Sequence, residues 1–417
     1  MKLIWDVTKK CNLRCKHCGA ASLLSNNIEK EDNWKNVIDY CKDSIDSVEL
    51  LGGEPLLHKD IDKIIEYLSL NNIKVSIISN GQVDLWLLKK IMEYNENSIY
   101  ISLEGLERTN DKIRGKGTWE KAIETIHVLK ELNNNKINKT EIGLNIAINF
   151  LNYNEILSLI EFTKELNLVY QINPIVITGN AAINKDFLYI KEELLLDVYE
   201  NISKYIYENP NIKINLLNEY PVINDYLNRK FGTNYLVEGK ECNALVGSIY
   251  CSPEGEITPC RTFKTNKMNV NNSTFNKNFI NFKELAELIE KDNKNEVCSN
   301  CKYTDICNFC PLEKEHTQPK ICLIAIERLK SVKINPLTKF KLKDPYIIVN
   351  SEQNKCIYYP NLGSKTYYSP EGINILNEII EACSIAEISQ KTAFPENVIY
   401  EFLMQEKNSG KVIEIRG

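Results

Sequence analysis

Apolar runs of strand length at 48–51, 75–78, 99–103, 142–148 and 169–176 alternate with helical patterns from the N-terminus to about residue 180. Alternation of this kind predicts βα units, in which parallel strands lie side by side under a layer of helices. In one interval, 60–70, Ile61, Ile64, Ile65 and Leu68 fall on a single helical face, and 119–132 reads as a further helix. With a strand at the N-terminus, six units predict an α/β fold built on a partial (β/α)6 barrel, open on one side to a large substrate. In parallel barrels the rim at the carboxyl ends of the strands carries the chemistry. Ser79 and Asn80 end one run and Ser102 to Glu104 end another, so they are better site candidates than polar residues within helices.

Cysteine placement narrows the chemistry. Ten of the 14 cysteines form two clusters, the first being Cys11, Cys15 and Cys18 directly after the N-terminal strand. Three thiolates spaced by three and two residues let one short loop present three ligands to one face of an iron-sulfur cluster. A four-iron cluster so held keeps one iron open to an exogenous ligand. Structural zinc wants four ligands, and His17 inside the triplet would crowd the same metal. Disulfides need an oxidising compartment, whereas the N-terminus reads Met1-Lys2-Leu3-Ile4-Trp5-Asp6-Val7 with no apolar signal segment, and no stretch reaches membrane-spanning length. The chain therefore reads as cytoplasmic, with no membrane partner. A net charge of −5 offers no basic field, so no nucleic-acid partner is expected.

The triplet matches the Cys-x3-Cys-x2-Cys loop of the radical SAM superfamily, and the chain resembles that family. Leu50-Leu51-Gly52-Gly53-Glu54-Pro55 ends the next strand, and it is similar to the family's contact with the SAM methionine amine. On the residues alone, the glycines permit close backbone approach to a ligand and Glu54 offers a carboxylate to an ammonium group. The resemblance implies SAM-binding positions at Gly52, Gly53, Glu54, Ser79, Asn80, Ser102, Glu104 and Arg114. Ser102 and Glu104 would face the ribose and Arg114 the SAM carboxylate, with Glu104 standing where the family commonly has Asp. Gly179-Asn180, after the strand at 169–176, is either an adenine-side loop or a simple βα turn.

Residues 191–230 read as a helical connector, which closes a first domain at 1–230. A second module at 231–330 begins with Cys242, a predicted hairpin from Ser248 to Cys260 turning at Pro253 and Gly255, and then Cys298, Cys301, Cys307, Cys310 and Cys322. This spacing resembles the SPASM extension of peptide-modifying radical SAM enzymes. That resemblance implies two auxiliary four-iron clusters, Cys242, Cys260 and Cys310 holding one and Cys298, Cys301, Cys307 and Cys322 the other, three clusters in all. Only two residues separate Cys307 from Cys310 where the family usually has three, and no cysteine stands shortly upstream of Cys242. Either Cys251 completes the first set or an iron is left open to a substrate thiolate. A zinc knuckle is the competing reading, but it leaves Cys242, Cys260 and Cys322 unexplained. Cys41 and Cys383 sit in apolar helical patterns and read as buried structural residues.

Asn335-Pro336 and Asp344-Pro345 mark a linker before a third domain at 340–417. Short strands followed by helices and a last strand there resemble a winged-helix element that binds leader peptides. Eight Lys and Arg against ten Asp and Glu in this segment argue against a phosphate-binding face. The strand Cys356-Ile357-Tyr358-Tyr359 is the expected acceptor for an added peptide strand.

Together these features imply a radical SAM enzyme that cleaves SAM reductively and abstracts hydrogen from a ribosomally made precursor peptide carrying a leader. The product is a crosslink, a thioether in the leading reading and a carbon-carbon bond in the main variant. A flavodoxin or ferredoxin would supply electrons. A sulfatase-maturing type of oxidase is the alternative within enzymes; Cys260-Arg261 stands where that subgroup has Cys-Asp. A non-catalytic iron-sulfur or zinc scaffold is the alternative of another class.

Overall fold

The structure, a computed structural model, describes residues 1–21, 24, 33–94, 98–134, 136, 139–216, 220–235, 237, 247–261, 268–269, 301, 303, 307, 319–350, 355–362 and 364–415. Seven strands lie parallel in chain order: β1 (Lys2–Thr8), β2 (Ser47–Gly52), β3 (Lys74–Ser79), β4 (Ser98–Ser102), β5 (Glu141–Ile148), β6 (Val169–Pro174) and β7 (Lys213–Leu216). Helices α1 (Trp34–Cys41), α2 (Ile61–Leu70), α3 (Leu85–Ile91), α4 (Glu107–Arg114), α5 (Thr118–Asn134) and α6 (Ile156–Thr163) fill the crossovers. The α2 face predicted from spacing is the buried one, with Ile61, Ile64, Ile65 and Leu68 at most 2% exposed. Parallel strands are covered on both faces, so β2 to β6 read as near-continuous apolar runs. The (β/α) architecture predicted from the sequence is the architecture observed.

β7 lies within 191–230, which the sequence pattern suggested was a helical connector, with no strand expected there. Lys213-Ile214-Asn215-Leu216 is too short to announce itself, and pairing with β6 gives it definition. It stands between α9 (Glu192–Glu208) and α10 (Pro221–Phe231), preceded by the short α7 (Gly179–Ile183) and α8 (Lys185–Leu188).

At the other edge of the sheet the chain returns from far away. β8 (Ser248–Cys251) runs parallel to β1, from Lys2 opposite Ser248 to Trp5 opposite Cys251, and β9 (Glu256–Thr258) folds back on it as the predicted hairpin. Gly255 takes a φ of 76° in the turn, and β10 (Met268–Asn269) adds to β9. One ten-stranded sheet therefore spans both the barrel and the start of the cysteine-rich module. α11 (Pro319–Lys330), which carries Cys322, packs on α9 and α10, and Cys251, Ile257, Tyr303 and Ile321 belong to the same hydrophobic core as the barrel.

The C-terminal segment has a core of its own, including Phe340, Leu342, Leu376, Ile388, Ile399 and Leu403. β11 (Lys339–Leu342) is the middle strand of a small sheet, and β12 (Ile347–Asn350), β13 (Lys355–Tyr359) and β14 (Ser364–Tyr367) form an antiparallel meander. α12 (Pro370–Glu378), β15 (Cys383–Ser384), α13 (Ile385–Thr392), α14 (Glu396–Asn408) and β16 (Val412–Ile415) follow, and β15 and β16 flank β11. Ser384 and Glu387 form a reciprocal capping box that starts α13. The expectation that Cys356 to Tyr359 accepts an added strand is corrected here. β13 is the central strand, bonded to β12 and β14, so the meander's outer strands are β12 and β14. Among the described residues no helix is long and apolar enough to cross a membrane.

Candidate active site

A cavity of about 710 Å³ opens at the carboxyl ends of the first strands. Cys11, Cys15 and Cys18 line it together with Gly52, Gly53, Glu54, Ser79, Asn80, Ser102 and Arg114. Residues far apart in sequence meet there because each follows a parallel strand at the same end of the sheet.

The cysteine loop is held from three sides. Asn80 Nδ2 donates to Asn12 Oδ1 (2.8 Å) and approaches Cys11 Sγ (3.9 Å), while Asn12 Nδ2 donates to the Gln82 carbonyl (2.8 Å). The Lys16 amide donates to Ile113 O (2.9 Å). On the third side, Asn180 donates its backbone N–H to Cys18 O and its Nδ2 to Cys15 O, each at 2.9 Å, and Asn184 Nδ2 donates to Lys16 O at 3.0 Å. Gly179, at φ 54°, sits so close that an added Cβ would lie 2.5 Å from Gly19 O. The Gly179-Asn180 loop therefore clamps the cysteine loop. Asn180 and Asn184, four apart at the start of a helix, were the available signal, but their target was 165 or more residues away.

The two glycines of Gly52-Gly53-Glu54 answer to a constraint the sequence did not reveal. An added Cβ at Gly52 would lie 2.4 Å from Thr8 O, and at Gly53 it would lie 2.0 Å from Lys10 O. The close approach is thus to the strand exit of β1, fixed by Gly53 N to Thr8 O (2.8 Å) and Glu54 N to Lys10 O (2.7 Å). Glu54 turns inward, accepting from Ser79 Oγ (2.8 Å), Asn80 N (2.7 Å) and Leu56 N (3.2 Å). Burial pushes its carboxyl up to about 7, against the pull of those hydrogen bonds. One acceptor direction remains, and a cation arriving there would favour the ionised carboxylate, its proton passing to solvent.

Glu104, unlike the other candidates, lies behind the cavity wall. Its Oε1 takes Arg114 Nε (3.1 Å) and Nη2 (2.6 Å) and His17 Nε2 (3.1 Å), and its Oε2 takes the Ala147 amide (2.9 Å). Burial alone would raise this carboxyl, but the charges of His17 and Arg114 outweigh it and hold it at about 2. Arg114 Nη1 lies 4.0 Å from Cys15 Sγ. His17, at the cavity wall, keeps Nδ1 buried without a hydrogen-bond partner among the described residues.

The donor set suits a four-iron cluster: three thiols on one cavity wall leave one iron for an outside ligand. Among the described residues no three His, Cys, Asp or Glu side chains close on a single-ion site. A cube that takes each thiolate on a different iron does not require that. Burial pushes the Cys15 thiol up to about 11 and raises Cys11 as well, so deprotonation falls to the metal that binds. Of the second cluster, Cys242, Cys298 and Cys310 lie outside the described residues. Cys260 follows β9, Cys322 is on α11, and both, with Cys301, pack partly buried against the barrel core; Cys307 is likewise partly exposed. Cys251 is fully buried, its thiol donating to Ser252 O (3.4 Å).

Residues 5–163 match the radical SAM superfamily, and this stretch of the chain is a radical SAM domain. The match supports SAM and a four-iron cluster as cofactors of this domain. The Fe-coproporphyrin III synthase of Methanosarcina barkeri (strain Fusaro / DSM 804) is 22% identical over 341 residues, 73% of this chain and 82% of that protein. A GTP 3',8-cyclase of Helicobacter pylori (strain ATCC 700392 / 26695) is 29% identical over 310 residues, 70% and 89%. Among solved structures, Streptococcus suis SuiB bound to S-adenosylmethionine superposes with a TM-score of 0.61 at 20% identity, covering 77% of this chain and 76% of that one, and SuiB has also been solved with its precursor peptide SuiA. Native anSMEcpe with bound AdoMet gives a TM-score of 0.59 at 17% identity, covering 79% and 95%.

Proposed function

We propose that the chain is a peptide-modifying radical SAM enzyme that removes a hydrogen atom from a precursor peptide and installs a crosslink, a thioether in the first instance. The observation that carries this reading is the convergence of the three-cysteine loop and the Gly-Gly-Glu strand end on one open cavity, in a chain that also carries a separate C-terminal unit with its own core. When bound, a four-iron cluster with SAM on its open iron supplies an electron that splits a carbon–sulfur bond and yields a radical able to abstract hydrogen. Cys11, Cys15 and Cys18 would hold that cluster, Glu54 would accept the ammonium, and Gly52, Gly53, Ser79, Asn80, Ser102 and Arg114 would wall the cofactor. Asn180, Asn184 and Asn80 fix the loop, which near-attack geometry requires.

For a thioether, a peptide carbon loses a hydrogen atom, a peptide thiol loses a proton, and one electron leaves as the carbon–sulfur bond forms. Auxiliary clusters on Cys242, Cys260, Cys310, Cys298, Cys301, Cys307 and Cys322 would take that electron. The fold likeness to SuiB and anSMEcpe supports a peptide substrate, since both have been solved with peptides bound. The two curated relatives are named for reactions on a porphyrin and a nucleotide, so a small-molecule substrate is the second reading.

Anaerobic reconstitution with reductant, SAM and short peptides encoded beside the gene tests the proposal. A peptide product lighter by two hydrogens, formed with 5'-deoxyadenosine, is the expected result. Deoxyadenosine with no peptide change would leave radical chemistry intact and sink the peptide reading; an unchanged mass with inverted stereochemistry would sink the crosslink.

A further inference from the structure

A second cavity, of about 410 Å³, lies against the first and shares Gly52, Gly53 and Arg261 with it. Its wall is made where β1 meets the returning hairpin, so only the long-range pairing of β1 with β8 creates it. Asp6 of β1 lines this cavity and is 2% exposed. Its Oδ2 accepts from Tyr250 Oη (2.7 Å) and from Arg261 Nη2 (2.9 Å). Its Oδ1 is buried and has no hydrogen-bond partner among the described residues. Lys9 and Glu254 also line the cavity and pair with each other.

A buried carboxylate oxygen without a donor is unusual in a folded protein, because an ionised Asp is acceptor-only and its lone pairs are costly to strip of partners. Here the arrangement is one-sided. One oxygen is saturated by a neutral hydroxyl and a cation, and the other is a buried acceptor with no donor among the described residues, on a residue that lines the second cavity. The carboxylate charge is already matched by Arg261, and an incoming cation would have to lie close to that guanidinium. A neutral N–H donor meets neither objection.

We propose that Asp6 Oδ1 is the anchor of a substrate subsite that receives a neutral amide N–H, with Tyr250 and Arg261 as the residues that aim it. This rests on the peptide-substrate reading, since a peptide backbone is the plainest source of such donors. The subsite recognises main chain, leaving choice of side chain to the larger cavity. Asp6 is a binding residue here and transfers no proton.

The test uses fragments, so it does not depend on knowing the peptide. Crystals of the full-length protein, reconstituted anaerobically, are soaked with N-acetylglycine N'-methylamide, ethylammonium or acetate, and solution affinities are taken by ligand-observed NMR. The diamide is expected with an N–H on Asp6 Oδ1, binding at least tenfold more tightly than ethylammonium. Asp6→Asn puts an NH2 where Oδ1 stood, because Oδ2 must go on accepting from Tyr250 and Arg261; diamide affinity should fall by tenfold or more. Tyr250→Phe removes one of the two donors that aim the carboxylate but leaves Oδ1 in place, so diamide affinity should fall by less than in Asp6→Asn. Ethylammonium on Oδ1 in preference to the diamide, ordered water alone there, diamide binding at crystal concentration only, or an Asp6→Asn variant that binds the diamide as well as wild type would each overturn the proposal. Wild-type soaks decide even if a variant fails to fold. Diamide binding in a protein that never alters a peptide would keep the subsite and sink only the crosslinking function.

Discussion

Gly53 and Glu104 mark the extremes of what single residues do at this site. At Gly53 the constraint is space: the Lys10 carbonyl stands 2.0 Å from where a Cβ would sit, and that carbonyl also accepts the Glu54 amide. Neither backbone yields cheaply, so Gly53→Ala should destabilise the protein by about 1–3 kcal/mol, read from the denaturant midpoint of the metal-free chain. At Glu104 the constraint is charge. Arg114 is buried against it, and the Ala147 amide and His17 depend on the same carboxylate. Glu104→Gln leaves a buried guanidinium without a counter-charge and should cost about 3–5 kcal/mol, whereas Glu104→Asp should cost less because the charge survives on a shorter stem. Equal unfolding midpoints for both variants would show that charge is not what Glu104 supplies. Glu104 was legible as a polar residue at a strand end, but its place behind the wall was not, because the donors it serves come from the cysteine loop, α4 and the backbone of β5.

At the scale of elements, the firmest tie between the C-terminal unit and the rest runs from α10 to α14. Asp225 on α10 accepts from Arg229 Nε (2.9 Å), Asn408 Nδ2 (2.6 Å) and the Tyr303 hydroxyl, and Asn228 Nδ2 donates to Asn408 Oδ1 (2.8 Å). Arg229 reaches Glu401 with both terminal nitrogens, at 2.6 and 3.0 Å. Burial would raise the Asp225 carboxyl, but the guanidinium of Arg229 and the donated hydrogen bonds hold it below the ordinary range. The sign follows: a depressed folded-state value means the unfolded chain takes up the proton first. Stability from Asp225 is therefore complete above about pH 4 and is lost as pH falls through the depressed value. An Asp225→Asn variant should show a shallower loss of stability below pH 4 than wild type, measured by denaturant unfolding across that range; parallel curves would remove Asp225 from the acid response. α14 falls where the sequence places helices after the short strands of the C-terminal segment, and α10 lies in the stretch read only as a helical connector. Their docking was not legible, since polar residues on two amphipathic faces look solvated until the faces meet.

Across the whole molecule, iron content is the quantity that separates the readings. Three four-iron clusters predict about twelve iron and twelve sulfide per chain after anaerobic reconstitution, and Cys15→Ala should lower that to about eight while abolishing deoxyadenosine formation. About four iron with bound zinc would make the second cysteine group structural. The amino-acid sequence by itself determined the strands and helices of the barrel, the three-cysteine loop and the strand-end polar residues. Each of these is written in local periodicity or in the spacing of a few neighbours, and a parallel sheet places all its strand ends on one rim. Tertiary structure alone decided the rest. β8 joined the barrel through β1 and thereby built the Asp6 cavity, β7 emerged from a region read as a helical connector, and β13 proved to be a central strand. Asn180 and Asn184 clamped a loop some 165 residues away. The physical reason is the same in each case: hydrogen bonding between strands and between loops is satisfied by whichever partner the fold brings near, and no local pattern records its distance along the chain.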